Sequence, residues 1–338
     1  MQVSYDKLEK EISEELKPMY LLYGEEQYLV ETLVKKIKKN FGELLLGINY
    51  VVLDDTNVNN LITNIEMPAF GYDKKLIIVK NSGIFKKDGR RKTATPLQER
   101  ICEYIKNNYE IIEDSNVIVF VEENVDKNAV YEVIEKNAVV CGIDFLKPAQ
   151  LITRLKKVCA LYKVKADDAT LNYLIETAGT NLQNLMNEIR KLIEYAGEGN
   201  SITKDAINEL TIKQIESVIF DLTDNLGNKK IEKALEVLDN LIYQKEPLQR
   251  ILITLYTHFK RLYLCAIAIN NNADVVSTLG LKPNQTFLVT KYKKQLSYFK
   301  VNQLRNLLQE LVDLDYNSKS GNIDIDVGLR SILCSYCS

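Results

Sequence analysis

Short apolar runs alternate with helical patterns through the first 145 or so residues, and this alternation limits the folds that the chain can adopt. The runs at 76–79 and 117–121 are apolar at every position, which is typical of strands in a parallel sheet covered on both faces. Strands are predicted at 19–23, 50–53, 76–79, 117–121 and 139–143. Helices are predicted between them at 26–40, 57–66, 96–107 and 128–137. Such alternation predicts a doubly wound α/β domain.

The strand pattern stops at residue 147, and the rest of the chain is predicted to be helical. Residues 149–211 divide into short helices separated by glycines. Beyond 212 the helices are longer, with apolar stripes typical of a bundle core, such as Leu248, Ile251, Leu252, Leu255, Phe259, Leu262, Tyr263 and Ala266. We therefore predict three domains: an α/β domain at 1–146, a small helical domain at 147–211 and a helical bundle at 212–338.

Composition argues against several classes of mechanism. The chain has one histidine, His258, so the sequence offers almost no histidine for a metal site or a Ser-His-Asp triad. His258 lies in a helical run and is interpreted as an ordinary helix residue. A net charge of -2 gives no overall attraction to nucleic acid or to an anionic membrane. Six scattered cysteines and a polar N-terminus predict a cytoplasmic protein, and no apolar run approaches the length needed to span a bilayer.

The turn after the first predicted strand is where a nucleotide-binding α/β domain carries its phosphate loop. A Walker A loop needs glycines, a lysine and a serine or threonine, but residues 24–28 contain one glycine and two glutamates. The nearest formal match, at 42–47, follows a helix and is followed by Ile-Asn. Glu122 and Glu123 occupy a Walker B position, yet are interpreted as a charged strand end facing solvent. We expect no catalytic site, no cofactor and no metal.

A basic segment at 86–92 places five cationic side chains in seven positions: Lys86, Lys87, Arg90, Arg91 and Lys92. A solvated loop is the ordinary interpretation of such a charge run. The alternative is a contact with the DNA backbone, whose affinity would fall steeply with salt. The residues by themselves leave both interpretations open.

The segment between the second predicted helix and the third strand is the main remaining candidate for function. Pro68 ends the helix and Gly71 permits a sharp turn, so that Met67, Ala69 and Phe70 can project from a corner. Phe70 has two interpretations. Physical chemistry alone favours a core side chain that caps the sheet, and the alternative is an exposed aromatic anchor for a partner. A buried phenylalanine would contribute about 1.5–3 kcal/mol.

Four stretches, within 20–29, 68–79, 179–192 and 220–247, together resemble the delta subunit family of bacterial DNA polymerase III in their order and spacing. The first ends its strand in a Gly-Glu pair where ATPase relatives carry the phosphate loop. The others resemble the family's clamp-contacting corner, its lid-domain signature and the start of its collar domain. The resemblance implies an AAA+-like α/β domain, a helical lid and a helical collar bundle.

The resemblance also implies a function: binding the beta sliding clamp and opening it for loading onto primed DNA during replication. Met67, Ala69 and Phe70 would contact the clamp. The family usually carries a Leu-Phe pair here, so Phe70 matches, Ala69 departs, and Met67 is expected to compensate. The collar would join delta prime and the tau/gamma subunits. The chain would then take part in DNA-directed polymerase activity only as a member of the holoenzyme.

Two other functions stay open at this point. An active AAA+ nucleotidase would bind ATP as an isolated chain. A nucleic-acid-binding adaptor using the loop at 86–92 would bind DNA in the absence of any clamp, with strong salt dependence. A clamp opener would instead bind the clamp through Phe70.

Overall fold

The computed structural model describes residues 2–87 and 95–337, and the chain divides into two compact units, residues 1–145 (unit 1) and 146–338 (unit 2). The boundary falls one residue from the predicted end of the α/β domain. The finer division of the helical part at residue 211 remains a prediction.

Unit 1 alternates strands and helices along the chain. Its strands are β1 (Met19–Tyr23), β2 (Tyr50–Leu53), β3 (Lys75–Lys80), β4 (Asn116–Glu122) and β5 (Val139–Gly142). Its helices are α1 (Tyr5–Glu14), α2 (Gln27–Phe41), α3 (Leu61–Glu66, preceded by a 3-10 turn at Val58–Asn60), α4 (Pro96–Asn107), α5 (Tyr109–Ser115) and α6 (Ala129–Asn137).

The five strands form one parallel sheet in the order β2-β3-β4-β1-β5. Leu21, Ile77 and Phe120 belong to a core cluster with residues of α3, α4 and α6. The alternating residues Leu22 and Ile78 are also fully buried, so both faces of the sheet are covered. This confirms the predicted doubly wound α/β domain. The parallel register also brings the loops that precede β2 and β3 to the same edge of the sheet.

Unit 2 is helical. Its helices are α7 (Pro148–Leu161), α8 (Asp168–Ala178), α9 (Leu182–Ala196), α10 (Lys204–Leu210), α11 (Ile215–Gly227), α12 (Ile231–Tyr243), α13 (Leu248–Asn270), α14 (Val275–Thr278), α15 (Leu288–Gln295), α16 (Val301–Lys319) and α17 (Ile325–Cys337), with short 3-10 turns at Pro283–Gln285 and Leu296–Tyr298. The predicted stripes from 212 onward pack into one bundle core.

Helix α13 is the long apolar element of this bundle. By length and composition it could cross a membrane, so the expectation that no apolar run reaches that length was wrong. Half of the apolar stretch is buried within the structure, and Ile251, Leu255, Phe259 and Leu262 lie in the bundle core. A core helix of a bundle meets the same length and composition criteria because it is apolar around much of its circumference.

Candidate functional site

Residues 67–72, here called the corner, join α3 to β3. Met67 is extended, as the residue before a proline tends to be, and the helix ends there. The Tyr72 amide donates a hydrogen bond to the Ala69 carbonyl oxygen at 3.0 Å, which closes a four-residue turn. Gly71 occupies the third position of that turn with φ of +81°, the conformation that a type II turn requires there. Phe70 therefore occupies the second position of the turn.

The three predicted contact residues lie together on the corner. Phe70 is 89% exposed, and within residues 2–87 and 95–337 no large hydrophobic side chain is more exposed. Met67 is 58% exposed and Ala69 is half-buried. The interpretation of Phe70 as a cap on the sheet core was wrong. The side chains of Lys75 and Asn116, and not that of Phe70, cover this part of the sheet. They donate hydrogen bonds to backbone carbonyl groups at the end of α3.

Lys75 supports the corner from inside unit 1. Its ammonium donates to the carbonyl oxygens of Asn64 at 3.0 Å and Met67 at 2.5 Å, although the residue is buried. A cation is favourable at the C-terminus of a helix, where carbonyl groups lack partners. Burial lowers the pKa of Lys75 from its ordinary value. The amide of Asn116 adds a bond to the carbonyl oxygen of Ile65 at 3.2 Å. These hydrogen bonds hold the backbone segment that leads into the turn carrying Phe70.

Sequence reasoning missed Lys75, although a signal was present. In a strand, residues two apart share a face. Lys75 is in phase with Ile77 and Val79, which lie in the core cluster beneath the helices. A lysine in that phase is predicted to enter the core, and a buried ammonium must be matched by acceptors.

Two backbone amides of the turn after β1 are hydrogen-bonded within unit 1. The Gly24 amide donates to the Glu122 carbonyl oxygen at 3.2 Å, and the Glu26 amide donates to the Ile143 carbonyl oxygen at 3.1 Å. A Cβ atom at Gly24 would lie 2.2 Å from the Ile143 oxygen, so the chain after β5 passes directly against this turn. Amide groups that a phosphate loop would direct at a nucleotide are therefore already bonded to carbonyl groups.

Glu122 differs from its sequence interpretation. It is buried, and its Oε1 accepts hydrogen bonds from the Ser82 amide at 2.9 Å and the Ser82 hydroxyl at 2.6 Å. Burial raises the pKa of Glu122. The prediction of a solvent-facing strand end was wrong for this residue and right for Glu123, which is exposed. The reason is that Ser82, in the loop after β3, covers the end of the neighbouring strand β4.

The predicted DNA-contacting segment is described only at its start. Lys86 and Lys87 are exposed, and the Lys87 amide donates to Asp126 Oδ2 at 2.7 Å. Arg90, Arg91 and Lys92 lie outside the described residues. The DNA contact remains a prediction.

His258 lies in unit 2 as a buried core residue. Its Nε2 is 2.8 Å from Gln295 Oε1 and 3.1 Å from Thr223 Oγ1. Because an amide oxygen only accepts, the ring carries a proton on Nε2. Burial, assisted by the nearby Arg261 cation, lowers the pKa of His258 to about 3. The histidine stabilises the packing of α11, α13 and α15. In the part of the chain that the structure describes, no three His, Cys, Asp or Glu side chains form a group that could hold a metal ion.

Comparison with known proteins gives consistent matches along the chain. Residues 20–143 match the family model for the DNA polymerase III delta subunit, and residues 216–336 match the model for its C-terminal domain. The probable DNA polymerase III subunit delta of Aquifex aeolicus is 31% identical over 331 residues, covering 94% of this chain and 90% of the relative. The Bacillus subtilis subunit delta is 21% identical over 330 residues, covering 94% and 92%.

The solved structure of the Bacillus subtilis DNA clamp loader delta protein has the same fold. It superimposes with a TM-score of 0.74 at 21% sequence identity, and the match covers 98% of this chain and 99% of that one.

Proposed function

The chain belongs to the DNA polymerase III delta subunit family and is a subunit of the clamp-loader complex, and from this premise we propose that it binds the beta sliding clamp through Phe70 and holds the clamp open for loading onto primed DNA. The observation that carries the proposal is the exposure of Phe70 on a supported turn. An aromatic side chain left in water on a fixed base is the kind of anchor that dominates small interfaces.

Met67 supports the same proposal. Its side chain is 58% exposed, and the residue directly follows the last turn of α3. In the sequence, Met67 comes immediately before Pro68, and Phe70 comes two residues after Pro68. Ala69 between them is half-buried and presents one methyl group. Methionine is flexible and fills irregular apolar gaps, so Met67 supplies the apolar contact that a leucine at position 69 would supply.

The proposed mechanism is opening by differential binding. The amides of Gly24 and Glu26 are bonded within unit 1, so the chain is proposed to act without ATP chemistry of its own. A binding protein shifts a two-state equilibrium only through its difference in affinity for the two states. The corner must therefore bind the open clamp more tightly than the closed one. ATP binding by neighbouring subunits would decide when the corner is accessible.

The helical bundle at 212–338 is proposed to be the collar that joins delta prime and the tau/gamma subunits. Apolar side chains are exposed along it: Tyr243, Tyr316, Val327 and Ile253 are each more than half exposed. Leu252, Ile253, Tyr256, Leu311, Val312 and Asp315 line a cavity of about 140 Å³ between α13 and α16. Exposed apolar surface of this kind marks protein contacts. A cytoplasmic location is part of the same proposal.

A binding titration with the cognate sliding clamp tests the proposal. Phe70→Ala is expected to weaken binding roughly 10- to 100-fold, because about 1.5–3 kcal/mol of aromatic burial is lost. Tyr243→Ala is the matched control, since Tyr243 is an aromatic residue 88% exposed in the bundle, and its affinity is expected to equal that of the wild type. Equal retention of the clamp by wild type and folded Phe70→Ala would overturn the site assignment.

Two further measurements separate the alternatives. Tight ATP binding by the isolated chain would contradict an opener without nucleotide chemistry. DNA affinity that falls steeply with salt, without any clamp present, would instead support the adaptor function through Lys86, Lys87 and the rest of the basic segment.

A further inference from the structure

Three large aliphatic side chains are exposed on the loop before β2. Leu45 is 39% exposed, Leu46 is 75% exposed and Ile48 is 41% exposed. These residues belong to the segment 43–49, here called the leucine turn, which overlaps the formal but unsuitable match to a phosphate loop. Single exposed aliphatic residues are common on protein surfaces, but three within four positions concentrate exposed apolar surface on one turn, which is typical of an interaction site.

The leucine turn is ordered by the buried side chain of Asn49. Asn49 Oδ1 accepts a hydrogen bond from the Leu45 amide at 2.7 Å, and its Nδ2 donates to the Glu43 carbonyl oxygen at 2.9 Å. The Gly47 amide donates to the Tyr50 carbonyl oxygen at 2.9 Å. The apolar side chains are therefore held in place before any partner arrives, which lowers the entropy lost on binding.

The leucine turn and the corner lie next to each other. They precede the neighbouring parallel strands β2 and β3, which brings both loops to the same edge of the sheet. The Leu76 amide donates to the Asn49 carbonyl oxygen at 2.8 Å. The Tyr72 hydroxyl donates to Glu43 Oε2 at 3.2 Å, which links the end of the corner to the start of the leucine turn.

We propose that the leucine turn is a second apolar contact for the same sliding clamp, an inference that rests on the proposed clamp binding by Phe70. One phenylalanine cannot form a specific interface, because stable interfaces bury about 800 Å² on each partner. A clamp seated on Phe70 must also cover the surface next to it. That surface carries Leu46 and Ile48 on a pre-ordered turn, hydrogen-bonded to the corner.

The test compares three variants in the clamp titration. Leu46→Ser combined with Ile48→Ser is expected to weaken binding roughly tenfold, while Phe70→Ala weakens it further. Leu161→Ser is the control, since Leu161 is 81% exposed in unit 2, and it is expected to bind as the wild type does. Leu46, Phe70 and Leu161 are largely exposed and Ile48 is 41% exposed, so all variants are expected to remain folded, and thermal unfolding of each variant checks this.

The outcomes separate this inference from the proposed function. Wild-type affinity of the double variant together with weak binding by Phe70→Ala would overturn the leucine turn contact alone. Wild-type affinity of Phe70→Ala would overturn the proposed function. Hydrogen exchange gives a second reading: the amides of residues 44–48 are expected to exchange more slowly when the clamp is bound, and unchanged exchange there would count against the contact.

Discussion

The corner and the core of the helical bundle depart from ordinary burial in opposite directions. Phe70, an apolar side chain, is 89% exposed, whereas the polar side chains of His258 and Gln295 are buried. The buried pair completes its hydrogen bonds internally: Nε2 of His258 bonds to Oε1 of Gln295, whose own Nε2 donates to the Phe220 carbonyl oxygen at 3.2 Å and to Thr223 Oγ1 at 3.0 Å.

The difference between the two regions indicates where this chain stabilises itself and where it is open to a partner. A buried polar group is costly unless it is hydrogen-bonded, so the network in the bundle contributes to folding. An exposed aromatic side chain contributes almost nothing to folding, so we attribute the placement of Phe70 to the proposed contact with a partner. Stability and binding measurements should therefore respond in opposite ways in the two regions.

The largest effect on stability is expected from Gln295→Leu. The substitution removes the closer acceptor of the His258 Nε2–H and the amide that donates to the Phe220 carbonyl oxygen and to Thr223 Oγ1, all in a buried site. We expect the free energy of unfolding to fall by about 3 kcal/mol. Chemical denaturation measures it, with Gln309→Leu on an exposed face of α16 as a control. A loss no larger than that of the control would show that the network is not structural.

A pH dependence should follow from His258. Its folded pKa of about 3 lies below its ordinary value, so between these values the unfolded chain binds a proton that the folded chain rejects. The free energy of unfolding therefore keeps its full value above about pH 6.5 and decreases as the pH is lowered. The decrease is about 2 kcal/mol at pH 5, since one pKa unit corresponds to about 1.4 kcal/mol. Denaturation across this range should show a smaller fall in His258→Gln, and parallel curves would contradict the assignment.

A smaller effect on stability is expected at Lys75, a residue whose substitution should change both the free energy of unfolding and clamp binding. Lys75→Met leaves the carbonyl oxygens of Asn64 and Met67 unpaired beneath the corner. We expect a loss of about 1–2 kcal/mol in unfolding free energy, together with weaker clamp binding because Phe70 loses its fixed base. Lys74→Met removes one exposed hydrogen bond and is the control. Unchanged clamp affinity would show that the corner does not depend on this support.

The smallest effect on stability is expected at the most exposed residue. Phe70→Ala should change the free energy of unfolding by less than about 0.5 kcal/mol, because the side chain is already in water. Thermal and chemical denaturation of Phe70→Ala measures this directly. A loss above 1 kcal/mol would mean that Phe70 packs within unit 1, and the contrast with the bundle core would fail.

Local elements could be predicted closely because their signals are local. Strands β1 and β2 and helix α4 have their predicted bounds. The start of α4 is marked by Thr95, whose side chain accepts from the Gln98 amide, and by Pro96 at the first helical position. Helix α1 was missed because only Leu8 and Ile12 are buried on it, which leaves a weak period.

The sequence by itself determined the alternation of strands and helices, the helical C-terminal part and, through the resemblance, the family. These follow from side-chain periods and short motifs, which act over a few residues. Only the tertiary structure decided that Phe70 is exposed, that Glu122 is buried against Ser82, and that the leucine turn lies beside the corner. The reason is that each depends on a partner distant in sequence, brought near by the order of strands in the sheet, which no local pattern encodes.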